Sequence, residues 1–334
     1  MTDGSPDPPV TRRHTALLVA RATANAILWI GTWQGASWPL FANRAWSAPT
    51  SSHDPRQSTT NLVTPSMNTQ DPYRLPSHVR PTHYDLRIEP DLTAHTFTGH
   101  EVITLTVIEP TSDILLNATE LEISSAIVSA ESQSPRAGAV EMDDEHQRCR
   151  ITFPHVIPAG TWTLHLTFRG TLNDKLRGFY RSSYKDGQGV VHSLAATQFE
   201  ATDARRAFPC WDEPQFKAVF AVTLVIDPSL TAISNTRVIE DRQEHGKRVV
   251  RFAESIRMST YLVAFIVGQL VPTRPIMARQ TPVRLWSVPG KQHLTAFGHE
   301  IAVYSPNFLA EYYDSPYPGD KPDLSAIPAC ASGA

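Results

Sequence analysis

The residues most able to do chemistry in this sequence lie in one segment, TQFEATDARRAFPCWDEP, at positions 197–214. It carries six charged side chains, three aromatic rings and a cysteine between two strand-like runs. Gln198 and Glu200 stand two positions apart at the end of the first run, and such neighbours in a strand project from the same face. A carboxylate beside an amide is a suitable receptor for an ammonium group. These two residues therefore predict a binding site for a substrate amine.

The remaining polar residues of this segment have a structural interpretation. Charges of both signs that alternate over a short turn predict a compact network of ion pairs that fixes the turn. Phe208 and Trp211 would anchor this turn in the core, and Cys210 is expected to be a small buried apolar residue. The predicted network contains Asp203, Arg205, Arg206, Asp212 and Glu213.

Other catalytic patterns are absent from the sequence. It contains no Gly-rich phosphate loop and no GxSxG nucleophile turn. His299-Glu300 begins like an HExxH zinc motif, in which a second His four residues on shares one helix face with the first. Position 303 is Val303, so the pair does not predict a zinc site. We expect it to lie on a solvated helix face.

Most of the chain has the pattern of short β-strands. HYDLRIEP alternates Tyr84, Leu86 and Ile88 with polar residues, which is the period of a half-buried strand. TWTLHLTF repeats the pattern, and further β-branched runs end at Pro, Gly or charged residues. Many strands at this spacing, with few helical periods between them, predict a mainly β protein built as a sandwich of antiparallel sheets.

The pattern changes after Pro282. TPVRLWSVPGK predicts a strand and its turn, and apolar positions between Gln292 and Tyr313 follow a helical period. Pro306 lies inside that period and is expected to kink or divide the helix near Tyr304. KPDLSAIPA predicts a further strand. The last part of the chain therefore resembles the incomplete start of an α/β unit.

Composition limits the remaining alternatives. A net charge of -3 gives no basic surface, so nucleic acid is not an expected partner. Three widely spaced cysteines indicate reduced thiols and a cytoplasmic location. Residues 1–70 are predicted to be an N-terminal extension that is disordered, serves as a targeting segment or is spurious. Their apolar run ANAILWIGTW is shorter than the roughly 20 residues of a membrane span, so no transmembrane segment is expected.

Several long motifs in order resemble the zinc-dependent aminopeptidases of the aminopeptidase N and puromycin-sensitive type. They include RLPSHVRPTHYDLRIEPDL, FTGHEVITLTVIEPTSDILLNATELEI, TQFEATDARRAFPCWDEP and SPYPGDKPDLSAIP. The resemblance implies that residues 71–275 form the family's saddle-like N-terminal β-sandwich. It implies that residues 276–334 are a truncated start of its thermolysin-like catalytic domain.

The resemblance also implies roles for individual residues. Glu200 matches the glutamate that binds the free α-amino group of a peptide, and Gln198 matches the glutamine that lines the pocket for the first side chain. Gly333 and Ala334 match the beginning of the family's GAMEN segment, which contacts the peptide backbone. The zinc ligands would follow these residues, so this chain is expected to bind no zinc and to be inactive alone. Its expected partners are peptide N-termini and a separately encoded catalytic half.

One alternative from another class of function stays open. Relatives that keep the sandwich without peptidase activity imply that this chain could be a non-catalytic protein-binding scaffold. An exposed apolar patch where a catalytic domain would dock is the feature that such a scaffold needs. Detection of a bound partner, as opposed to a free monomer, would distinguish the two functions.

Overall fold

The computed structural model describes residues 73–131 and 133–329. The predictions for residues 1–70, and the proposed contacts of Gly333 and Ala334, lie outside these residues. The described strands, in chain order, are β1 (Val79–Asp91), β2 (Thr96–Val107), β3 (Thr111–Asn117), β4 (Leu121–Ala130), β5 (Gln133–Ala137), β6 (Ala139–Asp143), β7 (Arg148–Ile157), β8 (Gly160–Thr171), β9 (Gly178–Lys185), β10 (Val191–Gln198), β11 (Val219–Ile226), β12 (Thr231–Ser234), β13 (Val238–Glu244), β14 (Lys247–Phe252), β15 (Phe265–Gly268), β16 (Val271–Pro272), β17 (Ile276–Ala278), β18 (Thr281–Val283), β19 (Leu285–Ser287) and β20 (Leu324–Ala326).

Eight of these strands form the largest sheet, in the order β13-β14-β11-β1-β2-β8-β4-β5. A four-stranded sheet, β12-β15-β10-β9, and a three-stranded sheet, β3-β7-β6, contribute apolar side chains to the same core. The mainly β, sandwich-type fold that the sequence predicts is therefore confirmed. Most neighbouring strands are antiparallel, but β1 pairs with β11 in parallel, with His83 opposite Val219.

The alternating strands of the sequence are the ones that form the centre of the large sheet. Tyr84, Leu86 and Ile88 of β1 are fully buried, as the period of two requires. β8 buries Trp162, Leu164, Leu166 and Phe168 in the same way. The Tyr84 ring stacks on Phe220 of β11 with a centroid distance of 4.8 Å. These large side chains form the core on which the segment at 197–214 rests.

Strand β2 places a carboxylic acid in this core. Glu101 is 0% exposed, and in the described part of the chain neither of its carboxylate oxygens has a hydrogen-bond partner. Its cross-strand neighbours are Leu86 on β1 and Leu166 on β8. Burial raises the pKa of Glu101 well above its usual range, because the apolar surroundings disfavour the charged form.

The last part of the described chain contains short sheets and the longest helix. β16, β19 and β20 form one sheet, β17 and β18 form another, and helix α1 spans Ala296–Tyr312. The predicted boundary between residues 275 and 276 falls between β16 and β17 and stays a prediction. No helix among the described residues is long and apolar enough to cross a membrane.

Helix α1 corrects the prediction that Pro306 divides the helix, because it continues unbroken through this residue. Proline removes one backbone donor and crowds the preceding turn. Two neighbouring side chains bond to carbonyls of that turn: the Ser305 hydroxyl donates to the Ile301 oxygen at 2.7 Å, and the Asn307 amide donates to the Val303 oxygen at 3.1 Å. The carbonyl that loses its backbone donor at Pro306 is that of Ala302, and the two side-chain bonds lie on either side of it.

Candidate functional site

The segment at 197–214 connects β10 to β11 by a turn and a short 3-10 helix, Ala204–Arg206. Three aromatic residues of the segment, Phe199, Phe208 and Trp211, are at most 2% exposed. The Phe199 ring contacts Phe208 edge to face, with centroids 5.9 Å apart. This burial holds the two ends of the turn in the core, and it confirms the predicted anchoring by Phe208 and Trp211.

Arg205 and Asp212 form the buried centre of the predicted ion-pair network. The Arg205 Nε donates to Asp212 Oδ2 at 2.9 Å, and the Asp212 side chain is only 1% exposed. Asp212 Oδ1 accepts a hydrogen bond from the Thr260 hydroxyl at 2.7 Å. Because both carboxylate oxygens are bonded, the charge of Asp212 is compensated within the protein, as a buried ion pair requires.

Arg206 ties the turn to two further acids. Its Nε donates to Asp203 Oδ1 at 2.6 Å, and its Nη1 lies 2.6 Å from Glu120 Oε1. Gly178, at the start of β9, has a φ of +66°, and a Cβ atom there would lie 2.7 Å from the Arg206 Cβ. A larger residue at Gly178 would therefore be strained and would displace Arg206.

Glu213 forms hydrogen bonds that link the turn to the chain before β1. Its Oε1 accepts a hydrogen bond from the Leu75 amide at 2.6 Å, and its Oε2 accepts one from the Gln215 side chain at 2.8 Å. Asp203 and Asp212 pair with arginines of the segment, and Glu213 bonds to an amide of the chain before β1. It fixes the entry of the chain into the sandwich.

Asn117 and Tyr84 support the segment from other strands, and sequence reasoning missed both. The Cys210 amide donates to the Asn117 carbonyl oxygen at 2.9 Å, and the Asp212 amide donates to Asn117 Oδ1 at 3.1 Å. The Trp211 amide donates to the Tyr84 hydroxyl oxygen at 3.2 Å. Cys210 is fully buried as predicted, and this burial raises the pKa of its thiol. Only the three-dimensional fold brings Asn117 to this turn.

The two residues predicted to bind an amine differ from these neighbours. Gln198 is the last residue of β10 and is half-buried, Phe199 is buried, and Glu200 is exposed in the turn that follows. The peptide bond between Glu200 and Ala201 is cis. Neither the Gln198 side-chain amide nor the Glu200 carboxylate bonds to another residue in the part of the chain that the structure describes. Glu200 is therefore a solvated carboxylate at the rim of the turn.

The described residues do not fit a zinc ion. A catalytic zinc site needs three protein ligands, and no three His, Cys, Asp or Glu side chains in the described ranges lie close enough to hold a metal. His299 is buried, not solvated as predicted, and its Nε2 lies 3.0 Å from the Val283 carbonyl oxygen. The other His-Glu pair, His100-Glu101, is followed by Thr104 at the motif's second histidine position and lies on β2.

Fold and segment together define a β-sandwich domain that presents a braced, acid-bearing turn at the end of one strand. Comparison with known families matches residues 80–262 to the Peptidase M1 N-terminal domain. The match covers more than half of the 334 residues, and it includes all of β1 after Val79 and the whole segment at 197–214. The chain belongs to this family, as its motifs indicate.

Several aminopeptidases are similar to the chain over the same region. Aminopeptidase M1-C of Oryza sativa subsp. japonica is 41% identical over 261 residues, which cover 78% of this chain and 29% of the rice protein. Aminopeptidase M1 of Arabidopsis thaliana is 40% identical over 265 residues, 78% of this chain and 30% of the plant protein. The puromycin-sensitive aminopeptidase of Caenorhabditis elegans is 40% identical over 264 residues, 78% of this chain and 28% of the worm protein. The chain thus spans less than a third of the length of these relatives.

Proposed function

We propose that this chain supplies the wall of an aminopeptidase site that binds the free α-amino group of a peptide. One observation carries the proposal. Within the described part of the segment at 197–214, the neighbouring charges are used in internal bonds, whereas the Glu200 carboxylate is exposed and makes none. An exposed carboxylate that is free of internal partners is suited to accept charge-assisted hydrogen bonds from an ammonium group.

The position of Glu200 explains how such a site would select a peptide end. An internal peptide bond offers no ammonium group, so a receptor carboxylate favours the first residue of the chain. Binding at Glu200 fixes the register of the peptide, and such positioning is a large part of the catalytic advantage of enzymes. In this proposal Gln198 lines the pocket for the first side chain, and Gly333 and Ala334 contact the peptide backbone.

We propose further that this polypeptide alone does not hydrolyse peptides. The described residues supply no set of ligands for the zinc ion that the family resemblance implies. The partner that we propose for hydrolysis is a separately encoded catalytic half. The described residues therefore support no catalytic step that depends on zinc.

A binding measurement tests the amine receptor. A fluorescently labelled peptide with a free N-terminus is titrated with the purified chain, and the same peptide with an acetylated N-terminus serves as the ligand control. We expect the free peptide to bind more tightly and Glu200→Gln to abolish the difference. Glu300→Gln is the matched protein control, because Glu300 is also exposed and makes no ion pair with the described residues. Equal binding of both peptides would refute the receptor and favour the scaffold alternative.

The inactivity of the isolated chain has its own test. The chain is incubated with zinc and with alanyl and leucyl anilides, and the release of the aniline is followed. We expect no turnover above that of Glu200→Ala. Turnover by the unaltered chain above this control would contradict the proposal. Addition of a candidate catalytic half would then show whether the two parts act together.

We propose the cytoplasm as the location of the chain. Cys149 and Cys210 are both buried free thiols, which is typical of a reducing compartment. Fluorescence microscopy of the whole chain with a C-terminal fluorescent tag tests this location. A secreted or organellar signal would contradict it.

A further inference from the structure

The outer face of the large sheet contains a cavity that is separate from the segment at 197–214. Its volume is about 200 Å³, below the roughly 300–1,000 Å³ of pockets for drug-sized ligands, so its occupant would be small. Five adjacent strands, from β13 to β2 in sheet order, contribute to it. The lining residues are Asp85, Arg87, His100, Val102, Thr223, Glu240, Arg242, Val249 and Arg251.

Four of these residues form one row across the sheet. Thr223 on β11 is opposite Arg251 on one side and Arg87 on the other, and Arg87 is in turn opposite His100. Directly opposed residues of neighbouring strands project from the same face of a sheet. Two guanidinium groups, a hydroxyl and an imidazole therefore converge along one line of the cavity.

The hydrogen-bonding capacity of this row is largely unused. Among the described residues, Arg87, His100 and Thr223 have no side-chain hydrogen bond and no ion pair. The Thr223 residue is only 5% exposed, so its hydroxyl lies at the buried floor of the cavity. A guanidinium offers five donors and accepts no hydrogen bond, which makes the row rich in donors.

The acids of the cavity are already paired. Asp85 Oδ2 accepts from Arg251 Nη2 at 3.1 Å, and Glu240 Oε1 accepts from Arg242 Nε at 2.5 Å. The Arg242 guanidinium also pairs with Glu244 of β13. The pKa of Glu244 is lowered mainly by its hydrogen bond to Arg242 and, to a smaller extent, by the charge of Arg87. Arg87 remains as the lining guanidinium without an ion pair in the described chain. A ligand that complements this arrangement must bring hydrogen-bond acceptors, and an anionic acceptor would pair with Arg87.

We propose that the cavity binds a small oxyanion, a phosphate or a carboxylate, through Arg87, Thr223 and His100. Arginine suits both groups because its planar fork matches their oxygens in pairs. The Thr223 hydroxyl donates from below, and His100 closes the cavity on the β2 side. The site is independent of peptide binding at Glu200, because it shares no residue with the segment at 197–214.

Thermal unfolding of the whole chain tests the site. The melting temperature is measured against increasing inorganic phosphate and, separately, succinate, with sodium chloride at matched ionic strength as the reference. A ligand that binds only the folded protein raises the melting temperature as its concentration passes its dissociation constant. We expect a saturable rise with at least one of the two anions. A response to phosphate alone identifies a phosphate site, and a response to succinate alone identifies a carboxylate site.

Substitutions of the lining residues test whether the rise in melting temperature comes from binding in the cavity. We expect Arg87→Gln and Thr223→Val each to raise the dissociation constant of the anion roughly tenfold or more, because each removes a donor from a charge-assisted bond. Arg169→Gln is the control, since Arg169 is an exposed arginine on the same sheet that does not line the cavity. His100→Gln repeats the test at an exposed position if the Thr223 variant does not fold. No anion-specific rise, or equal rises in the unaltered chain and the cavity variants, would overturn the proposal.

Discussion

Replacement of Glu101 should make this protein more stable and remove part of its pH dependence. The carboxyl group is fully buried between leucines of β1 and β8 and has no partner among the described residues. Its ionisable neighbours Tyr84 and Cys210 also have raised pKa values because of burial, so neither supplies a compensating charge. Glu101→Leu fills a similar volume without a polar group, and Glu101→Gln keeps a polar group that never ionises.

The raised pKa of Glu101 determines how the free energy of unfolding changes with pH. Burial raises the pKa of Glu101, so the folded chain holds this proton more tightly than the unfolded chain. Stability is therefore unaffected below the unfolded pKa of about 4.3 and falls as pH rises towards the folded pKa. Within that window the loss is about 1.4 kcal/mol per pH unit. An unsatisfied buried polar group costs about 1–3 kcal/mol, so Glu101→Leu should gain at least that amount at neutral pH.

Urea unfolding followed by tryptophan fluorescence, from pH 5 to pH 8, measures both effects. We expect the free energy of unfolding of the unaltered chain to fall more steeply with pH than that of Glu101→Gln. Glu109→Gln is the control, because Glu109 is an exposed acid in a loop. Parallel pH curves for the unaltered chain and Glu101→Gln, or a loss of stability in Glu101→Leu, would refute the reasoning.

Three further predictions concern the core and the braced turn. Asp212→Ala should cost about 3–5 kcal/mol, because it leaves the largely buried Arg205 without its ion-pair partner; urea unfolding that shows a loss below 1 kcal/mol would contradict this. Gly99→Ala should cost about 1–3 kcal/mol by the same measurement, since its new methyl group would overlap the Phe168 ring; an unchanged midpoint would contradict it. Burial raises the pKa of Cys149 to about 12, and Cys210 is likewise buried. Both thiols should resist iodoacetamide at pH 8 until urea is added, and mass spectrometry of native protein alkylated at either position would disprove it.

The sequence predicted those parts of the fold whose signal is local. The alternation in β1 and β8 identifies both strands and their buried faces, because one side of each contacts the core and the other faces solvent. The turn at 197–214 was recognisable from its own charges, and the pairs between Arg205 and Asp212 and between Arg206 and Asp203 confirm the predicted bracing. Neither inference needs a residue from elsewhere in the chain.

The parts that could not be predicted depend on distant residues. Asn117 and Thr260 bond to the turn only because β3 and the 3-10 helix at Thr260–Leu262 pack beside it. Helix α1 continues past Pro306, and the Ser305 and Asn307 side chains bond to carbonyls of the preceding turn, a local feature that periodicity does not reveal. His299 was expected in solvent and is buried, because β18 covers its side of the helix.

The parallel pairing of β1 with β11 has a consequence for how the chain becomes a folded protein. His83 near the beginning of the sandwich must meet Val219, and most of the other strands of the sandwich lie between them in the sequence. During synthesis the backbone groups on one edge of β1 therefore remain unpaired until β11 has left the ribosome. Contacts between such distant positions slow folding, because a long loop must close before they form. The nascent chain thus exposes an open strand edge for a long period, and chaperone binding to this edge would protect it from aggregation.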